Sequence, residues 1–203
     1  MHVNQPVKLD WPTPTTDVDA SKMRAALERL AVAVASSNGL AEPIDPEESG
    51  ADVPPALKDL ADEMAGARVG EEFELNLLAE DRTDLGPFTL LGEPTSYYPL
   101  FETVDDAVIL TLNDEGIPGG VWWIDEELDM HLLATSLDEY VDTVARAIAA
   151  LDPESSEPAE DVWRAVAASK RSTFTVLESV EDLSSHVEFA ADGLSARLVA
   201  DQA

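Results

Sequence analysis

With 203 residues, 45% of them apolar, the chain can bury a real core, and that excludes wholesale disorder. Its 42 acidic residues against 12 basic ones leave a formal charge of −30, which disfavours nucleic acid and anionic membrane as direct ligands and favours basic surfaces. Cysteine is absent, so disulfides and thiolate chemistry are excluded and a reducing, cytoplasmic setting is expected.

The start of the chain, residues 1–6, has neither the basic nor the apolar region of a secretory leader. Residues 1–16 hold Pro6, Pro12 and Pro14 and read as an extended arm. A first helix is expected within 17–39, opening near Asp17 or Asp19. Met23, Leu27, Leu30 and Val34 form one apolar stripe, and Asn38-Gly39 is the stop. Residues 40–52, with Pro43, Pro46, Gly50 and a run of acids, read as a linker. A second helix opens at Pro54-Pro55, turns Leu57, Leu60, Ala61 and Met64 inward, and fades at Gly66 or Gly70.

The middle of the chain is β-rich. Phe73, Leu75 and Leu77 alternate with polar neighbours, and residues 88–91 are a shorter candidate strand. Residues 107–112 are apolar almost throughout, as expected of a central strand covered on both faces. A turn at 113–120, a strand at 121–124, a turn at 125–127 and a strand through Leu128, Met130 and Leu132 complete an antiparallel meander. Ser136 and Glu139 have the spacing of a capping box. The helix they open carries Leu137, Tyr140, Val141, Val144, Ile148 and Leu151 on one face and ends at Asp152-Pro153. The remainder, 152–203, is a C-terminal extension with a short helix from Pro158 to about Lys170. Strand-like pieces follow at 174–177 and 187–189. The fold class expected is therefore α+β, a central antiparallel meander with flanking helices.

Catalytic patterns are missing. The sequence contains no nucleophile elbow, phosphate loop or dinucleotide fingerprint, and His2, His131 and His186 share no metal-ligand spacing. His131 reads as an exposed strand residue. Carboxylates are too abundant for any one pair to signal acid–base chemistry. The oxygen-rich stretches 113–116 and 125–129 lack the alternating ligand positions of a calcium loop and read as solvated turns. No cofactor or metal is expected.

Charge and aromatic placement point elsewhere. From Thr83 to Ala145 there are fourteen Asp and Glu and no Lys or Arg. Local pairing cannot neutralise that window, so it is solvated, binds cations or faces a basic partner. In Trp122-Trp123 the rings must take opposite faces of a strand: one is core, the other is covered by a helix or exposed as an interface anchor.

Residues of about 53–151 resemble the SUKH superfamily, known mostly as bacterial toxin-immunity proteins. The likeness rests on four stretches: Val53-Pro54-Pro55-Ala56-Leu57 at a helix start, Tyr98-Pro99-Leu100-Phe101, the Gly-rich turn 113–120 between residues 109–112 and 121–125, and Ser136-Leu137-Asp138-Glu139-Tyr140 opening the last helix. The first departure is Met64-Ala65-Gly66-Ala67-Arg68, standing where members carry an Asn-Gly-rich loop. The second is that residues 1–52 and 152–203 have no assigned counterpart. The resemblance implies a SUKH-like fold and neutralisation of a toxin by binding its basic surface in the cytosol. Charge clustering on the meander turns assigns the contact to Asp114, Glu115, Trp122, Asp125, Glu126, Glu127 and Asp129. Alternatives left open are an acidic DNA mimic or adaptor acting on a nucleic-acid-binding or secretion protein, and a carboxylate- or metal-dependent enzyme.

Overall fold

The structure is a computed structural model, which describes residues 8–10, 19–46, 55–61, 64–78, 97–102, 107–112, 118–125, 129–175, 187–189 and 195–198. A short strand, β1 (Lys8–Asp10), precedes helix α1 (Ala20–Ser36), which begins where an aspartate can cap it. The Asp19 carboxylate accepts from the backbone N–H groups of Ser21 at 2.9 Å and Lys22 at 3.3 Å, two donors that lack partners within the helix. The stripe Met23, Leu27, Leu30, Val34 is buried as expected. At the far end the buried Ser37 hydroxyl donates to the Val34 carbonyl and accepts from the Ala41 N–H. Asn38 and Gly39 then take positive φ, 57° and 84°, and stop the helix.

The first half of the expected linker is a strand, β2 (Ala41–Ile44). Its ends, Ala41 and Ile44, are buried, while Glu42 and Pro43 face solvent. Strands β3 (Gly66–Val69) and β4 (Phe73–Asn76) join it in a three-stranded sheet of order β2-β3-β4, both pairings antiparallel. Proline is tolerated in β2 because it is an edge strand, where a missing N–H disrupts no inner ladder. Arg68 of the middle strand lies in register between Glu42 and Glu74 and pairs with Glu74 at 2.6 Å. Of the acids that suggested a linker, Glu42 is thus an outward residue of a sheet, while Glu47, Glu48 and Asp52 lie outside the described residues.

Helix α2 (Pro55–Leu60) is shorter than expected. Its sequel cannot stay helical, because the Ala65 N–H is bonded to the Ile44 carbonyl and the Ala65 carbonyl to the Leu77 N–H. Both groups are drawn into the sheet. Leu57, Ala61 and Met64 are nevertheless buried, and Leu60 is partly so.

Five further strands are β5 (Tyr97–Glu102), β6 (Ala107–Leu112), β7 (Pro118–Ile124), β8 (Asp129–Ala134) and β9 (Ser172–Thr175). They form one antiparallel sheet in the order β5-β6-β7-β8-β9. The expected meander is present from β6 to β8, with β5 added before it. Strand β6 is buried at every position. Strand β7 starts earlier than the turn reading allowed, since Pro118, Gly119 and Gly120 belong to it. Across the shifted register there, the Thr111 hydroxyl donates to the Gly120 carbonyl at 3.0 Å.

Helix α3 (Leu137–Ala149) packs against α1 over most of its length. Helix α4 (Pro158–Ala167) packs on α3, β3 and β4. One core cluster takes in α1, α3, α4, the sheet β2-β3-β4 and one face of the five-stranded sheet. The N-terminal helix and the first part of the C-terminal extension therefore share the core of residues 53–151. The chain ends meet in a third sheet: β1 lies parallel to β11 (Ser195–Leu198), which is antiparallel to β10 (Val187–Phe189). The candidate strand at 88–91 lies outside the described residues.

The capping box is not made. Ser136 is the N-cap, but its side chain makes no cap hydrogen bond. Glu139 instead reaches one residue further back, accepting from the Thr135 N–H at 3.1 Å and hydroxyl at 3.0 Å, and it also pairs with Arg171 at the entry to β9. Desolvation raises the pKa of Glu139, yet the two Thr135 hydrogen bonds and the Arg171 charge together outweigh it and hold the group below its ordinary 4.5. A folded-state pKa below the unfolded one stabilises fully above the ordinary value, and this stabilisation is lost as pH falls below it. We expect Glu139→Gln to lower the thermal midpoint at neutral pH, with the gap to wild type closing as pH drops below 4.5. Using the difference cancels the opposite trend from relief of a −30 self-repulsion; a gap constant with pH would remove Glu139 as a pH-linked tie.

Candidate functional site

Which face each Trp takes is decided by what packs against the sheet. Trp123 lies opposite Val108 and His131 in register, Trp122 opposite Ile109 and Leu132. Val108 belongs to the core cluster under the helices, so the Trp123 face is the helix side. Trp122 is fully buried on the other face, along with Ile109, Ile124 and Leu132. This corrects the expectation that Trp122 contacts a partner: no part of its ring reaches solvent. Trp123 is partly buried and sits at the edge of the core.

Around Trp123 the structure assembles side chains from four segments. His131 of β8 stacks on it with centroids 4.4 Å apart and planes tilted by 37°. Trp163 of α4 meets it edge-on at 5.2 Å and 86°. The ammonium of Lys170, just after α4, stands 5.7 Å from the ring centroid. Asp125, where β7 ends, holds its carboxylate 2.9 Å from His131 Nε2. His131 is only 4% exposed, so its reading as an exposed strand residue is overturned. Strand alternation does put it opposite the face of Met130 and Leu132, but its own face is the helix side, where α3 packs on β7 and β8 and Trp163 of α4 meets Trp123.

Of the expected contact residues, Asp125 is described, with its side chain 19% exposed and tied to His131. Asp129 opens β8, and its side chain lies outside the described residues, as do Asp114, Glu115, Glu126 and Glu127. Sequence reasoning missed Trp163, Lys170 and His131 as members of the site. Trp163 and Lys170 carry no signal for it, because they arrive through α4 packing from a distant part of the chain.

A second concavity, about 510 Å³, runs between α1 and α3 and is floored by Ala33, Ala145 and Ile148, with Val32 67% exposed at its side. Arg29 and Arg146 at its rim both pair with Asp142. With Glu28 also on the rim, the groove is close to neutral, so it has no particular pull on a cationic partner. Among the described residues no three His, Asp or Glu come together as a metal site. No described helix is long and apolar enough to cross a membrane. The Tyr140 hydroxyl is buried without a hydrogen-bond partner, and burial pushes its pKa up; it is sealed in the core and offers no reachable chemistry. Comparison with protein-family models, curated proteins and solved structures returns no match.

Proposed function

We propose that this chain is a non-catalytic binding protein that docks on the basic surface of a protein partner, in the manner of a cytoplasmic immunity protein neutralising a toxin. The observation that carries the reading is the partly exposed Trp123–Trp163 corner beside Asp125, in a chain of net charge −30. A rigid aromatic pair gives an anchor of the kind that dominates interface energetics, and the surrounding charge steers a basic partner to it. The surplus is not consumed within the fold: Arg29, Arg68, Arg146, Arg164 and Arg171 are each already paired with carboxylates. The remaining surplus is available to a basic partner. The resemblance of residues 53–151 to SUKH proteins supports the narrower, toxin-directed form and a SUKH-like arrangement of the α+β fold.

The reading is tested with the products of the genes adjacent to this one, each first assayed for toxicity. Co-expression should restore growth, and stopped-flow mixing should give an association rate that falls steeply with salt. Asp125→Asn, Glu126→Gln and Glu127→Gln together remove three charges, and the amide introduced at position 125 can still hydrogen-bond His131. They should slow association at low salt and leave it unchanged at high salt. An unaltered on-rate would take this surface out of the interface, and failure to bind any basic neighbouring product would sink the function itself.

A further inference from the structure

We infer that the Trp123–Trp163 corner is a receptor for a single cationic side chain of the basic partner, arginine in preference to lysine, and that Lys170 is its occupant within the free chain. The inference rests on the proposed function for the identity of the partner, but its geometry stands alone. Two indoles at 86° with centroids 5.2 Å apart, both partly exposed, form a corner. An ammonium already stands within cation–π range of the Trp123 ring, 5.7 Å from its centroid. The chain thus displays the ligand class it would accept.

His131 fixes the corner from within. It is buried, stacked on Trp123, and hydrogen-bonded to Asp125, so the indole plane and the carboxylate are held to one another through a single imidazole. A cation over Trp123 therefore gains a ring quadrupole and a nearby negative charge together. A guanidinium suits this better than an ammonium, because it is planar, weakly hydrated and able to stack while its edges donate. Lys170 is an exposed residue, and an exposed cation–π contact shifts an equilibrium only about two- to five-fold, so displacing it is easy.

The probe is an acetylated, amidated tripeptide bearing one arginine, titrated into the full chain at about 0.3 M salt to suppress non-specific attraction. The readout is the indole N–H resonances. Those of Trp123 and Trp163 should shift and saturate while that of Trp122 stays still. The same peptide carrying citrulline, neutral but similar in shape, should leave all of them in place. Lys170→Gln, at an exposed site outside the core, should tighten arginine binding about two- to five-fold by removing the competitor. Equal shifts from the citrulline peptide, or unchanged affinity in the Lys170 variant, overturn the receptor. The two failures are distinguishable: a corner that ignores arginine in a protein that still binds its basic partner ends this inference alone. A corner that takes arginine in a protein with no basic partner ends only the proposed function.

Discussion

Gly66→Ala is expected to destabilise the protein by roughly 3–5 kcal/mol, combining backbone strain with an overpacked strand pairing. Gly66 sits at φ +150°, and a Cβ built there falls 1.8 Å from the Leu75 carbonyl oxygen and 2.8 Å from its carbon. Both atoms belong to the backbone of the neighbouring strand, so no side-chain rotation relieves the clash. The sheet β2-β3-β4 must open or shift, and with it the hydrogen bonds that Ala65 makes to Ile44 and Leu77. Gly39→Ala is the control. Its φ is +84° but nothing lies within 4 Å of the added carbon, so only the left-handed backbone cost of about 1–2 kcal/mol applies. Urea midpoints of the two variants should separate clearly. A Gly66 variant no worse than the Gly39 variant would mean that β3 and β4 do not approach as described.

Trp122→Ala should cost about 3–5 kcal/mol, the range for removing a fully buried large aromatic side chain. The ring is 0% exposed and is the largest completely buried side chain among the described residues. Its cross-strand neighbours Ile109 and Leu132 are buried on the same face, so truncation leaves a cavity that two strands must collapse to fill. Trp123→Ala, at a partly exposed ring, should cost distinctly less. The functional consequence runs the other way: Trp122→Phe should leave partner association unchanged, whereas Trp123→Ala should weaken it. Chemical denaturation of both alanine variants decides the facing. Equal losses, or a larger loss at Trp123, would reverse the assignment of the two indoles.

Helices α1 and α3 are legible in the sequence because their signals are local. A cap, an apolar stripe and a stop lie within one segment, and the stripe meets core whatever the partner is. The meander is legible for a similar reason, since alternation and turn residues lie close together along the chain. The unmade capping box shows where locality ends. Spacing puts Glu139 within reach of a backbone donor, but which donor it takes is settled by Arg171, from beyond α4. The linker reading of residues 40–52 fails at Ala41–Ile44 for a related reason. Acids and prolines look alike in a loop and on the open edge of a sheet, and only the pairing of β2 with β3 separates the two.

Three properties are already complete in the linear chain: the −30 charge, the lack of recognisable catalytic motifs, and the rule that Trp122 and Trp123 face opposite ways. Which of the two meets solvent is not among them, because period-2 alternation is symmetric between the faces of a sheet. Packing of distant elements made that choice. Helices on one face left Trp123 at the rim of the core with Trp163, Lys170, His131 and Asp125 gathered beside it, and the other face enclosed Trp122 completely.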